Sequence, residues 1–226
     1  MRKSNHNSEW LRRQEALYEG LRSQTWLAVS AEETMSAISK RSHSKSPWKD
    51  QVPNFWLKSL TSMHQDLADA FTNVIEHPEE RPTWLTEGIS FLLPKLEGTG
   101  DPKNYRPVTC LLTMNKILTS GITEHTNRFL LESQILSTEQ KVCKHDSNSC
   151  EEQLLINKMV IEDCKAWKNN LTTAWIDYKN AFDSVPHTWI IKCLELYKIC
   201  LVAINFMKEC IKNWKTTLHL NHANSP

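Results

Sequence analysis

Two aspartates and a pair of cations are the residues whose types and spacing could do chemistry. Asp177 and Asp183 sit in the stretch Leu171 to Trp189, L-T-T-A-W-I-D-Y-K-N-A-F-D-S-V-P-H-T-W. An apolar, β-prone run (Leu171, Ala174, Trp175, Ile176) delivers Asp177, a polar turn follows, and Pro186 opens a new helical pattern. A strand that ends in an aspartate and then turns sharply suits a carboxylate aimed at a metal ion. The rival readings are a helix cap or a surface residue, and the cap reading is strong for Asp183, because Ser184, Pro186 and a helix follow it. Lys95 and Arg106 flank a glycine-containing turn and could clamp a phosphate, Arg through its planar fork and Lys as a point charge. From charge alone, the simpler reading of that pair is a solvated hairpin tip.

The elements that must position these groups can be read from periodicity. Trp10 to Ser39 carries apolar residues at helical spacing, with Gly20 as its weak point, and 41–53 is a Ser/Lys/Pro-rich loop. Phe55 to Ile75 reads as one amphipathic helix closed by Pro78 and Pro82. Ile89, Phe91, Leu92 and Leu93 form a strand, the turn L-E-G-T-G-D-P-K-N reverses the chain, and Tyr105 to Leu111 returns as a second strand. Antiparallel pairing would place Lys95 and Arg106 together at the turn end. Thr113 to Leu131, Cys150 to Trp167, His187 to Tyr197 and Leu201 to Trp214 read as helices, Ser133 to Ser149 as a polar loop, and the tail N-H-A-N-S-P is polar. The expected class is therefore α/β or α+β.

Composition excludes some functions. The 226 residues carry a net charge of +1, so no global field draws in nucleic acid. The first fifty residues hold nine Lys or Arg against six Asp or Glu, a mild local excess that fits a solvated helix face or a nucleic-acid arm. Seven cysteines and an N-terminus without an apolar signal core point to a reducing interior with free thiols. Cys143, His145 and Cys150 do not match zinc-ligand spacing. No apolar run is long enough for a membrane span.

The string A-W-I-D-Y-K-N-A-F-D-S-V-P-H-T-W-I resembles the first carboxylate motif of reverse transcriptases from non-long-terminal-repeat retrotransposons. V-P-N-F-W-L-K-S-L, W-L-T-E-G-I-S-F-L-L-P-K, N-Y-R-P-V-T-C-L and E-E-Q-L-L-I-N-K-M-V resemble the same family's fingers region in the same order, so the likeness covers roughly Trp48 to Ile199. The resemblance implies a partial right-hand polymerase: a helical extension and linker over 1–47, fingers over 48–170 and the start of a palm over 171–226. It implies that Asp177 is the catalytic metal-binding aspartate and that the main-chain carbonyl of Tyr178 is a second contact for Mg²⁺. It places the backbone N–H groups of Asn180 and Ala181 toward the incoming triphosphate, and Phe182 where its ring excludes a ribose 2′-hydroxyl. It makes Lys95 and Arg106 the cations that close over the triphosphate. RNA template, DNA primer and deoxynucleoside triphosphates are the implied partners, and cytoplasm or nucleus the implied location.

Departures from the pattern matter. The family's second carboxylate motif, a hairpin with adjacent aspartates, has no counterpart, and no Asp-Asp pair occurs in the chain. Val142, Asp146 and Ser149 stand where the family tends to have glycines, and Trp48-Lys49-Asp50 replaces a Gly-Pro-Asp-like turn. The expectation is an inactive, truncated polymerase of marginal stability. A non-catalytic RNA or template–primer binding remnant, or a decayed element copy with no selected role, are the alternatives.

Overall fold

The computed structural model describes residues 9–42, 52–95, 104–137, 139, 148, 150–178 and 181–219. Helices and one small sheet make an α+β chain. The elements are α1 (Glu9–Leu17), α2 (Ala31–Ser39), α3 (Asn54–Ser59), α4 (His64–Glu76), β1 (Glu87–Pro94), β2 (Tyr105–Leu111), α5 (Thr113–Glu132), α6 (Cys150–Ala166), α7 (Ala181–Ser184), α8 (His187–Leu196), α9 (Leu201–Asn213) and β3 (Lys215–His219). They fall into two units. One comprises Met1–Arg22 and His125–Tyr197, the other Ser23–Glu124 and Lys198–Pro226. α5 contributes its first part to the second unit and its last part to the first.

The second unit owns the main core. Val29, Ala37, Ile38, Leu57, Phe71, Ile75, Leu85, Ile117, Leu118, Phe206 and Cys210 form one buried cluster. α2 starts on a capping box: Ser30 Oγ accepts from the Glu33 N–H at 3.1 Å, and Glu33 Oε2 accepts from the Ser30 N–H at 3.0 Å. This satisfies two donors that a helix start otherwise leaves unmet. The residues that follow at helical spacing, Thr34, Ala37 and Ile38, are buried.

The long helix expected over Trp10 to Ser39 is two helices with a non-helical segment between them. Long-range hydrogen bonds explain the break. Gln24 N–H donates to Lys198 O at 2.8 Å, Trp26 Nε1 to Glu76 Oε1 at 2.7 Å, and Val29 N–H to Thr72 Oγ1 at 3.0 Å. These bonds hold residues 24–29 in place, and local helix propensity yields to them. The helix expected over Phe55 to Ile75 is also broken, at Leu60, whose backbone lies at φ −89° and ψ 63°. Ser59, Thr61 and Ser62 offer competing side-chain bonds there, and Ser59 Oγ donates to Phe55 O at 2.9 Å. The buried ring of His64 meets the Leu57 carbonyl at 2.8 Å, satisfying an orphan acceptor at the end of α3.

The sheet has strand order β2-β1-β3. β1 and β2 form the expected hairpin, antiparallel, with Leu93 opposite Arg106 and Pro94 opposite Tyr105. β3 pairs with β1 in parallel, Gly88 opposite Thr216 and Phe91 opposite His219. The buried Ser90 hydroxyl bonds Thr109 Oγ1 at 2.6 Å and Thr216 Oγ1 at 2.7 Å, so a ladder of three hydroxyls ties all three strands together. Gly88 leaves the space that this ladder needs. A Cβ there would lie 2.7 Å from Thr109 Cγ2 and 3.2 Å from Leu111 Cδ2, and Thr109 can turn aside only by giving up Ser90. Gly88→Ala should therefore lower stability by about 1–3 kcal/mol, read as a drop in thermal midpoint. A midpoint equal to that of the parent chain would show that the ladder is not rigid.

In the first unit, α1 and α8 pair through aromatic rings. Trp10 and Trp189 have centroids 5.5 Å apart, and Tyr18 and Tyr197 meet edge to face at 5.3 Å. Lys192 Nζ donates to Glu15 Oε1 at 2.7 Å beside them. The basic N-terminal segment thus includes a packed helix. α6 forms as its periodicity predicts, yet none of its residues is buried, and Leu154, Leu155, Ile156, Met159 and Val160 are exposed.

Candidate functional site

The hairpin delivers its two cations as the alternation of the strands requires. Lys95 N–H donates to Asn104 O at 2.7 Å, which continues the ladder one step past Pro94–Tyr105. Lys95 lies two residues beyond Leu93, and Arg106 is paired opposite Leu93. Side chains two apart share a face, and so do directly paired residues. Lys95 and Arg106 therefore stand on one face as diagonal neighbours, about 7–8 Å apart. Both are exposed. Two cations at that spacing suit one phosphate group or two adjacent ones.

The same face carries a feature that the sequence reading missed. Phe91 and His219 are paired across β1 and β3, with ring centroids 5.1 Å apart and planes inclined at 36°. The only local signal for β3 was the alternation in K-T-T-L-H-L, and its partner lies more than a hundred residues upstream.

Asp177 is presented differently from the expectation. Residues 171–178 form no strand; they are exposed, with Trp175 at 76%, Ile176 at 77% and Tyr178 at 73%. The apolar β-prone run is present, but no strand among the described residues pairs with it, and a strand without a neighbour leaves its backbone groups to water. α7 begins at Ala181 and includes the backbone of Phe182 and Asp183. Asn180 lies outside the described residues, as do Cys143, His145, Val142, Asp146, Ser149 and Trp48. Pro186 is the N-cap of α8, with no side-chain cap bond, and its fixed φ already suits that position. Asp177, Tyr178 and Ala181 belong to the first unit, Lys95 and Arg106 to the second.

The donor set for Mg²⁺ can be tested on these residues. Mg²⁺ asks for six oxygens in near-octahedral array and usually takes one or two carboxylates with substrate phosphates and waters. Among the described residues no three His, Cys, Asp or Glu side chains converge to hold a cation. A single exposed carboxylate in an unpaired segment does not fit a resident Mg²⁺ site. Of the cysteines, Cys110, Cys150, Cys164, Cys193, Cys200 and Cys210 are free thiols. Burial pushes the Cys193 and Cys200 thiols up, and Cys210 up to about 11, so these three are poor nucleophiles near neutral pH. No helix among the described residues is long and apolar enough to cross a membrane.

No family model matches the chain. Three transposable-element proteins do. The Retrovirus-related Pol polyprotein from type-1 retrotransposable element R2 of Nasonia vitripennis is 29% identical over 152 residues, 66% of this chain and 14% of that protein. The chain resembles the reverse transcriptases of non-long-terminal-repeat retrotransposons. The Transposon TX1 uncharacterized 149 kDa protein of Xenopus laevis is 26% identical over 207 residues, 85% of this chain and 15% of that protein. The Probable RNA-directed DNA polymerase from transposon BS of Drosophila melanogaster is 26% identical over 166 residues, 72% of this chain and 18% of that protein. This reverse-transcriptase-like chain thus spans less than a fifth of the length of each of these relatives.

Proposed function

We propose that the chain is a portion of a retroelement RNA-directed DNA polymerase whose own contribution is to hold nucleic-acid and nucleotide phosphates on the β1–β2 hairpin. The observation that carries this is the register Leu93–Arg106, which sets Lys95 and Arg106 side by side on one face at the turn. In this reading 48–170 are fingers, 171–226 begin a palm, and 1–47 are an extension. The partners are an RNA template, a DNA primer and deoxynucleoside triphosphates. Lys95 and Arg106 receive phosphate oxygens, the N–H groups of Asn180 and Ala181 face the triphosphate, and Phe182 excludes the 2′-hydroxyl.

The reaction of such a polymerase is attack of a primer 3′-hydroxyl on the α-phosphate of a nucleotide, and Mg²⁺ is the metal such enzymes take. Asp177 is its catalytic carboxylate by resemblance, with the Tyr178 carbonyl beside it. The donors among the described residues do not make a site for Mg²⁺. The chain by itself is then a binder without polymerase activity. Asp177, exposed and without a converging group of metal-ligating side chains among the described residues, favours this second role, a template–primer module that performs no chemistry.

The test uses the purified 226-residue chain, a primed RNA template, deoxynucleoside triphosphates and Mg²⁺. The expected result is no primer extension but salt-dependent binding of the template in fluorescence polarisation. Lys95→Ala/Arg106→Ala should weaken binding about tenfold at low salt and flatten the slope of log K against log salt by about 1.5. Extension that Asp177→Ala abolishes would refute the inactivity, and binding unchanged in the double variant would remove the hairpin from the reading.

A further inference from the structure

The sheet face that bears Lys95 and Arg106 has more on it than charge. Register and alternation put Ile89, Phe91 and Leu93 of β1, Val108 of β2 and His219 of β3 on that face. None of them is buried: Ile89 and Phe91 are half-covered, and Leu93, Val108 and His219 are exposed. The opposite face holds the buried Gly88 and Ser90 and the hydroxyl ladder. The open face is therefore apolar along its middle, with two aromatic rings in contact, and cationic at the turn end. Its charge is graded. At the far end Lys215 stands opposite Glu87, whereas Arg106 stands opposite Leu93 and His219 opposite Phe91.

An apolar aromatic strip running into a pair of cations matches one ligand chemistry well. A single nucleic-acid strand exposes flat bases on one side and a phosphate every nucleotide on the other. Every base has a π-face, so aromatic rings hold it without regard to sequence, and cations take the backbone. A duplex hides its base faces in the stack and gains nothing from the rings.

We propose that the open face of the β2-β1-β3 sheet is a stacking platform for a single strand, one base lying on the Phe91–His219 pair while the adjoining phosphates reach Lys95 and Arg106. It rests on the proposed function and goes beyond it, since phosphate binding alone needs no contact with a base. Phe91 is the fixed floor of the platform, held in the central strand. His219, at the edge strand, adds a second ring and a hydrogen-bonding nitrogen for a base edge.

The experiment compares two labelled twelve-nucleotide probes, oligo(dT) and an abasic strand of the same length and charge, against the full chain in fluorescence polarisation at fixed low salt. Bases contribute by stacking, so the intact strand should bind about tenfold more tightly than the abasic one. His219→Ala and Phe91→Leu should each bring that ratio close to one while leaving abasic binding unchanged. His219 is exposed at the end of the sheet, so its variant is expected to keep the thermal midpoint of the parent. Equal binding of the two probes by the parent chain would overturn the platform and leave the phosphate reading standing. A ratio that survives both substitutions would also overturn it, because the bases would then rest elsewhere. Binding of neither probe would overturn the platform together with the proposed function.

Discussion

Ile75→Ala is expected to cost about 3–4 kcal/mol. Ile75 sits in the last turn of α4 at 0% exposure, inside the cluster that includes Phe71, Leu85, Leu118 and Phe206. Truncation removes three carbons and leaves a cavity whose walls come from several elements, so the site cannot collapse around it. The loss is comparable to much of the stability of an ordinary domain. Urea denaturation followed by tryptophan fluorescence reads it as a lower midpoint at unchanged slope. Ile75→Val should lose only about 1 kcal/mol. Equal effects of the two substitutions would argue against a close-packed core at this point.

The second large effect is expected at Glu209. Arg81 is nearly buried, its side chain 9% exposed, and Nη1 donates to Pro78 O at 2.9 Å and faces Glu209 Oε1 at 3.5 Å. Glu209 also accepts from Asn213 Nδ2 at 2.7 Å and lies 3.6 Å from Lys212 Nζ. Glu209→Ala leaves a buried guanidinium without its carboxylate. The full penalty for such a break is about 3–5 kcal/mol, and partial solvent access at Glu209 reduces it to about 2–3 kcal/mol. Replacing both partners, Arg81→Met with Glu209→Leu, should recover most of it. If the double variant is no better than the single, the cost does not come from the stranded charge.

The same corner gives the chain a pH dependence. Burial raises the Cys210 thiol from 9.0 to about 11, with Arg81 pulling it down and Glu209 pushing it up by smaller amounts. The unfolded chain releases this proton from about pH 9 while the folded chain keeps it. Cys210 thus contributes stability that is fully present below pH 9 and is lost as pH rises toward 11. Cys210→Ala should flatten that part of the stability profile.

Local pattern made several elements legible. The β1–β2 hairpin could be read because two β-prone runs flank a Gly, Pro and Asn-rich turn, and Lys95 and Arg106 followed from antiparallel pairing alone. α5, α6, α8 and α9 carried plain helical periodicity. The breaks at 18–30 and at Leu60 could not be read. They depend on bonds such as Trp26 to Glu76, fifty residues apart, and on the ring of His64 beneath the Leu57 carbonyl. β3 was invisible for the same reason, since Ser90 and Thr216 are 126 residues apart. The strand expected before Asp177 shows the converse. Its composition suits a sheet, but composition supplies no neighbour. Asp177 stood out as the carboxylate that ends an apolar run, whereas Tyr178, Asn180, Ala181 and Phe182 were singled out by resemblance alone.

Just past α6, Lys168 lies in the left-handed region, φ 54°, and Asn169 N–H reaches back to Cys164 O at 2.9 Å. Beyond this cap residues 171–178 belong to no helix or strand and are exposed, Trp175 and Tyr178 among them. A protease needs about ten residues of extended chain to enter its cleft, and such chain is free only where local opening costs almost nothing. Chymotrypsin should therefore nick the protein first between Trp167 and Tyr178, well before it cuts at Phe71 or Phe206. The peptides released earliest in a brief digestion would report how little free energy guards the neighbourhood of Asp177.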